Sequence, residues 1–243
     1  MKKVVLITGG GRGIGAATAR LLASRGYAVC INYRQRADSA AEVVAAIEAA
    51  GGEALALQAD VSDETQVISL FDETERRLGP VTHLVNNAGA LSTQSRLADI
   101  DLERFNRVMA ANATSCFLCC REAARRMSAG GAIVNLSSVA AQLGAPFEYV
   151  DYAAAKGAVN SLTKGLAKEL AAEGIRVNAV SPGLIYTDIH ADGGEPGRVD
   201  RLGPTLPMQR GGTAEEVANA IAWLLSDEAS YVTGTILDVA GGR

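Results

Sequence analysis

Thr8-Gly9-Gly10-Gly11-Arg12-Gly13-Ile14-Gly15 follows directly on the apolar run Val4-Val5-Leu6-Ile7 and leads into Ala16, Ala17, Ala19, Leu21 and Leu22. The order predicts a short buried strand, a tight turn and a helix. Glycine at 9, 13 and 15 lets the backbone turn sharply, approach a ligand without an intervening Cβ, and pack the helix close to its strand. The helix start presents N–H groups and the positive end of its dipole to one point, which suits a pyrophosphate. Gly11, Arg12 and Ile14 belong to the same predicted cradle. A glycine turn by itself also serves merely to join a strand to a helix. No Gly-Lys-Ser/Thr closes the stretch, so it is not a nucleotide-triphosphate loop.

Outward from that turn, short apolar runs alternate with helical patterns along the whole chain. Strands are predicted at 4–7, 28–33, 54–58, 81–86, 132–136, 175–180 and 234–239, with helices near 14–25, 37–50, 64–78, 101–128, 151–173 and 214–226. Such alternation implies β-α-β crossovers and a parallel sheet covered on both faces. The fold class is therefore α/β, a doubly wound parallel sheet (a Rossmann fold) in one domain over residues 1–243. No composition break or linker divides the chain.

Net charge is −4 with both signs interspersed, which argues against nucleic acid, and no basic amphipathic helix points to a membrane surface. The apolar run after Met1-Lys2-Lys3 is too short for a signal peptide or a span, so a cytoplasmic protein is expected. Cys116, Cys119 and Cys120 share a helical face without a histidine nearby in sequence. With Cys30 they read as reduced packing residues rather than metal ligands, and no metal is expected.

In a doubly wound sheet the ligand sits beyond the carboxyl ends of the strands. The second strand ends in Asn32-Tyr33-Arg34-Gln35-Arg36, about twenty residues past the glycine turn, where an acid would hold the ribose 2′-OH of NAD and a base the 2′-phosphate of NADP. Arg34, with Arg36 as a second candidate and Arg12 within reach, favours NADP(H) over NAD(H). The next strands end in Asp60-Val61, Asn86-Asn87-Ala88-Gly89, Ser137-Ser138 and Ser181-Pro182-Gly183. Each is also ordinary turn chemistry; their shared sheet edge is the informative part.

Tyr152 and Lys156 stand four residues apart on one helical face. An ammonium near a phenol favours the phenolate and draws its pKa down from about 10, as an acid–base group working near neutrality requires. Ser138 ends a strand fourteen residues earlier, where its hydroxyl can meet a substrate oxygen. Asn112 is a polar residue in an apolar helix and needs partners.

Taken in order, Thr8-Gly9-x-x-x-Gly13-x-Gly15, Asp60-Val61, Asn86-Asn87-Ala88-Gly89, Asn112, Ser138, Tyr152-x-x-x-Lys156 and Pro182-Gly183 resemble the short-chain dehydrogenase/reductase family over essentially the whole chain. The resemblance implies Tyr152 as proton donor and acceptor, Ser138 orienting the carbonyl oxygen with Ser137 as the competing assignment, and Lys156 lowering the phenol pKa and binding the nicotinamide ribose. It also implies a relay water on Asn112, adenine contacts from Asp60 and Val61, a cofactor lining of Asn87, Ala88 and Gly89, and nicotinamide contacts from Ile185 and Thr187 after Pro182-Gly183. The activity implied is a ketone or secondary-alcohol oxidoreductase acting on a small molecule. A 3-oxoacyl-thioester reductase, a sugar or polyol dehydrogenase and a non-catalytic NADP(H)-binding regulator are the alternatives. Relatives that dock a carrier protein tend to be basic near 128–131 and 172–174, where this chain offers only Arg125 and Arg126 nearby.

Two departures stand out. Ala240 replaces an aspartate frequent before the glycine pair, and the connection Val139 to Asp151 is slightly long and forms a wall of the substrate pocket. Residues 184–207, rich in glycine and proline, are expected to form a substrate lid, with His190 exposed and outside the catalytic set. The resemblance further implies a homotetramer, with a dimer as runner-up, through the helices at 101–128 and 151–173 and the last strand.

Overall fold

The computed structural model describes residues 2–243. Its strands are β1 (Val4–Ile7), β2 (Ala28–Tyr33), β3 (Glu53–Gln58), β4 (His83–Asn86), β5 (Ala132–Leu136), β6 (Arg176–Pro182) and β7 (Ile236–Val239). They form one sheet in the order β3-β2-β1-β4-β5-β6-β7, every pairing parallel. The order reverses between β1 and β4, the point at which a doubly wound sheet offers a ligand crevice at its carboxyl ends.

The helices are α1 (Gly13–Ser24), α2 (Ala37–Ala49), α3 (Glu64–Leu78), α4 (Leu102–Met109), α5 (Ser115–Arg126), α6 (Ala140–Leu143), α7 (Val150–Leu170), α8 (Ile189–Asp192), α9 (Arg198–Leu202) and α10 (Ala214–Leu225). Successive strand residues point to opposite faces, and the core divides accordingly. Val4 and Leu6 pack with Phe71, Cys119 and Val159 on the side of α3, α5 and α7. Val5 and Ile7 pack with Leu22, Ile47 and Ile221 on the side of α1, α2 and α10. All four cysteines are buried and reduced. Among the described residues no helix is long and apolar enough to cross a membrane.

The single helix expected over 101–128 is instead two helices joined by a wide π-helical turn, Ala110–Thr114. The cause is local. Asn112 Nδ2 donates to Val108 O at 2.9 Å, and Ser115 Oγ donates to Ala111 O at 2.8 Å. Side chains thus bond carbonyls four residues back, which competes with the regular ladder. π-Turns of this kind are frequent at functional sites.

Across the buried centre Asn86 Nδ2 donates to Asn135 Oδ1 and Asn135 Nδ2 to Thr163 Oγ1, both at 2.9 Å. Asn86 and Asn135 are register partners on β4 and β5. The chain of bonds fixes α7 against β5, and so sets where the two elements carrying the predicted chemistry stand.

Candidate active site and cofactor cradle

The glycine turn is built as the sequence predicts. Gly9 and Gly13 have φ of +63° and +52°, a region that disfavours side chains. A Cβ on Gly15 would stand 2.5 Å from Gly9 O and 2.6 Å from Asn87 Nδ2. The cradle is locked to β4: the Asn87 and Ala88 amides both donate to Thr8 Oγ1 at 3.0 Å, while Asn87 Nδ2 donates to Thr8 O and Gly9 O at 3.0 and 2.9 Å. Asn32, fully buried at the end of β2, accepts from Gly9 N at 3.4 Å and donates to Ala59 O at 3.0 Å. Asn87 and Asn32 thus fix the turn, a bracing role that loop composition alone did not disclose. Gly13, Ile14 and Gly15 open α1, whose first N–H groups face the cradle.

The other predicted cofactor residues ring the same crevice. Asp60 accepts from Ser62 through its amide and hydroxyl at 3.0 and 2.6 Å, and lies 3.7 Å from Arg34. These contacts, against a burial cost, hold its carboxyl below the usual range. Val61 is buried beside it, and Tyr33 is half-buried at the end of β2. Pro182 and Gly183 end β6, Ile185 bridges to Gly212, and Thr187 faces the open side of Gly13. A cradle that only absent Cβ atoms leave open, rimmed by three arginines, fits a phosphorylated dinucleotide.

Ser138 leaves β5 half-buried at the crevice, whereas Ser137 points inward and bonds Lys156 O at 3.4 Å. Of the two serines, Ser138 is thus the more exposed and Ser137 the one engaged within the core. Tyr152 lies in the first turn of α7 with Lys156 one turn on, and the Lys156 Nζ sits 5.5 Å from the Tyr152 ring centroid, over its face. Lys156 is almost wholly buried and donates to Leu136 O at 2.7 Å. Asn112 is spent on the loop after β4: its Nδ2 donates to Ala90 O at 2.9 Å and its Oδ1 accepts from Ala90 N at 3.2 Å. A Cβ on Gly89 would lie 2.7 Å from Asn112 Oδ1 and 3.5 Å from Lys156 Nζ, so Gly89 keeps that approach open.

The electrostatics differ from the expected pull on the phenol. Burial pushes Tyr152 up to about 12, opposed only by the Ser138 hydroxyl, and burial pulls Lys156 down to about 8. Burial is the largest cause of both shifts and holds Tyr152 as the acid.

The segment 184–207, expected as a lid, forms α8, α9 and connecting turns. Leu184, Val199 and Leu206 form a small core of their own. Arg198, only 5% exposed, bonds Glu148 and Glu195, and its guanidinium lies over the Tyr149 ring at 5.4 Å. The Tyr149 hydroxyl donates to Gly193 O at 3.3 Å. The segments 139–151 and 184–207 are therefore fastened together. His190 is buried, not exposed as expected, and its Nε2 stands 3.0 Å from Ile185 O. Burial lowers its pKa and favours the neutral ring, which supports the strand end that carries Ile185. Neither Arg198 nor Glu148 was distinguished in the sequence, because an arginine and two glutamates in loops look like solvated charges.

A family model described as enoyl-(acyl carrier protein) reductase matches residues 9–243. The chain is 59% identical to an uncharacterized oxidoreductase, YgfF, of Escherichia coli strain K12, covering 99% of both. It is 45% identical to 3beta-hydroxysteroid dehydrogenase 1 of Eggerthella lenta, covering 99% of this chain and 93% of that one. It is 41% identical to a 3-oxoacyl-[acyl-carrier-protein] reductase of Synechocystis, covering 99% and 96%. Among solved structures, a short-chain dehydrogenase of Burkholderia cenocepacia in complex with NADP superimposes with a TM-score of 0.92 at 36% identity, covering 99% and 97%.

Proposed function

The chain belongs to the short-chain dehydrogenase/reductase family, and we propose that it interconverts a small ketone and its secondary alcohol, with NADP(H) preferred and Tyr152 as general acid and base. The observation that carries this reading is the placement of Ser138, Tyr152 and Lys156 on the carboxyl edge of the sheet, beside a cradle that glycines leave open. The bound nicotinamide cofactor would supply or accept the hydride.

The chain's own residues do the rest. Ser138 donates to the substrate oxygen and orients it. Tyr152 holds the proton that this oxygen takes up on reduction; its raised pKa keeps it protonated at neutral pH. Lys156, anchored on Leu136 O, places a positive charge behind the phenol and against the nicotinamide ribose. The Asn112 side chain positions the loop at Ala90, and its main-chain carbonyl would hold a relay water toward Lys156. Gly9, Gly13 and Gly15 would admit the pyrophosphate, Asp60 and Val61 would hold the adenine, Asn87 to Gly89 the ribose side, and Ile185 and Thr187 the carboxamide. Preference for NADP(H) is supported by Arg12, Arg34 and Arg36 at the rim.

Removing the phenol tests the mechanism. Tyr152→Phe should lower kcat about 10²–10⁴-fold on any ketone that a screen with NADPH consumption finds. In the wild type, alcohol oxidation should rise with pH and ketone reduction fall, because the two directions need phenolate and phenol respectively. Undiminished turnover by the variant would sink the assignment.

A 3-oxoacyl thioester is the second substrate reading, favoured by the 41% identity to the Synechocystis reductase. A carrier protein is acidic and would need free basic groups. Arg125 is paired with Glu122, and Arg126 with Asp72, Glu75 and Glu122. A free small ketone therefore remains the preferred substrate.

A homotetramer is part of the proposal. Leu102, Phe105 and Phe117 are exposed on α4 and α5, Trp223 and Tyr231 lie exposed toward the other end, and the edge strand β7 is only half covered. Apolar faces and an open strand edge of this kind suit burial against further copies.

A further inference from the structure

The lid carries two acids that sit on the arginines of the cradle. Asp192 Oδ2 pairs with Arg12 Nη2, its Oδ1 lies 3.9 Å from Arg36 Nη2, and Asp188 Oδ2 lies 3.5 Å from Arg12 Nη1. Arg12 Nη1 is shielded from solvent and has no hydrogen-bond partner. Arg34 is turned to Asp60 instead. One carboxylate is thus shared by two guanidinium groups that start from different elements, the glycine turn and the end of β2. Such a geometry suits a phosphate monoester at least as well as a carboxylate, since it offers more oxygens to the same donors.

We propose that Asp192 is a specificity-determining residue for the cofactor: in the free enzyme it occupies the Arg12–Arg36 pair, and only a cofactor bearing a 2′-phosphate displaces it. The inference rests on the NADP(H) reading given above. NAD(H), with a 2′-hydroxyl, leaves Asp192 in place and α8 tethered to the cradle. NADP(H) takes both guanidinium groups and frees α8. Thr187, next to Asp188 at the start of α8, also packs on the glycine turn, its Cγ2 3.2 Å from where a Gly13 Cβ would be. Because Arg12 and Asp192 are more than a third exposed, the pair is weak, and occupancy by Asp192 reduces NADP(H) affinity only by the fraction of molecules in which it is formed, about two- to fivefold.

The test compares wild type and Asp192→Asn in two measurements. In titrations with NADPH and NADH, the variant should bind NADPH about two- to fivefold tighter and NADH as the wild type does. In hydrogen exchange without cofactor, the peptide spanning 188–193 should exchange faster in Asp192→Asn. In the wild type, adenosine 2′,5′-bisphosphate should speed exchange there and 5′-AMP should not; neither probe carries a nicotinamide, so ordering of the lid by that ring does not enter. Equal exchange of the peptide in both proteins, or equal effects of the two probes, overturns the tether. If wild type prefers NADPH but the variant leaves both affinities unchanged, the tether is wrong and the NADP(H) reading stands. If wild type binds both cofactors equally, the NADP(H) reading falls and the inference with it.

Discussion

Gly15 and Lys156 show at the residue scale how tightly the site is drawn. Gly15 has no room for a side chain, since a Cβ meets Gly9 O and Asn87 Nδ2 inside 3 Å. Gly15→Ala must displace the turn from β4, so it should lower stability by about 1–3 kcal/mol, as overpacking does. NADPH binding should weaken at least tenfold, measured by titration beside a urea melt. Lys156 makes a pH prediction. Its folded pKa, about 8, lies below the ordinary 10.5. Below pH 8 the ammonium is charged in both states and its burial costs stability in full. Between pH 8 and 10.5 the unfolded chain binds more protons, so stability rises with pH there. Relative to Lys156→Met, the wild type should gain on the order of 3 kcal/mol over that window in urea melts. Tyr152 has the opposite sign, its raised pKa costing stability from pH 10 toward 12, so only the difference against the variant isolates the lysine. A wild type whose stability relative to Lys156→Met is flat across that window would show the lysine to be solvated.

At the scale of elements, Arg198 joins the segment 184–207, proposed as a lid, to the segment 139–151. Its partners Glu148 and Glu195 keep about a quarter of their side-chain surface exposed, 29% and 24%. Arg198→Ala should therefore cost about 2–3 kcal/mol, less than the ~3–5 kcal/mol of breaking a fully buried pair. The loss should be local. Chymotrypsin should cut within 184–207 faster in the variant, while the rest of the chain stays protected; unchanged cleavage would mean that the apolar contacts of Leu184, Val199 and Leu206 hold the lid unaided. The same scale explains why 101–128 was legible as helix but not as a broken one. Periodicity reports which face is apolar along each stretch, and the π-turn adds only about one residue of phase between two stretches that are each helical. What breaks the helix is Asn112 reaching back to Val108 O and across to Ala90, and the second contact depends on where β4 ends.

For the whole molecule, the proposed tetramer makes the exposed faces of α4, α5 and β7 interior. Light scattering on the purified protein should give four chains. Phe117→Glu, placing a charge on a residue 45% exposed in the single chain, should reduce the assembly to a smaller species without unfolding the subunit. A wild-type monomer would remove this part of the proposal and leave the site untouched.

The sequence by itself determined the sheet and the glycine turn and singled out the candidate residues of the site, because each is written locally. Alternating apolar runs specify strands and helices, glycines mark where no Cβ fits, and Tyr152 and Lys156 are one helical turn apart in any helix that contains them. It also placed these residues at one sheet edge, since parallel connections put all strand ends on the same side. Only the tertiary structure buried Ser137 while leaving Ser138 half-buried, buried His190, raised the Tyr152 phenol, and gathered Arg198 with Glu148. It alone brought Asp192 onto Arg12 across 180 residues. The physical reason is common to these cases. Burial and ion pairing depend on the sum of surfaces that arrive from distant parts of the chain, and no local spacing encodes that sum.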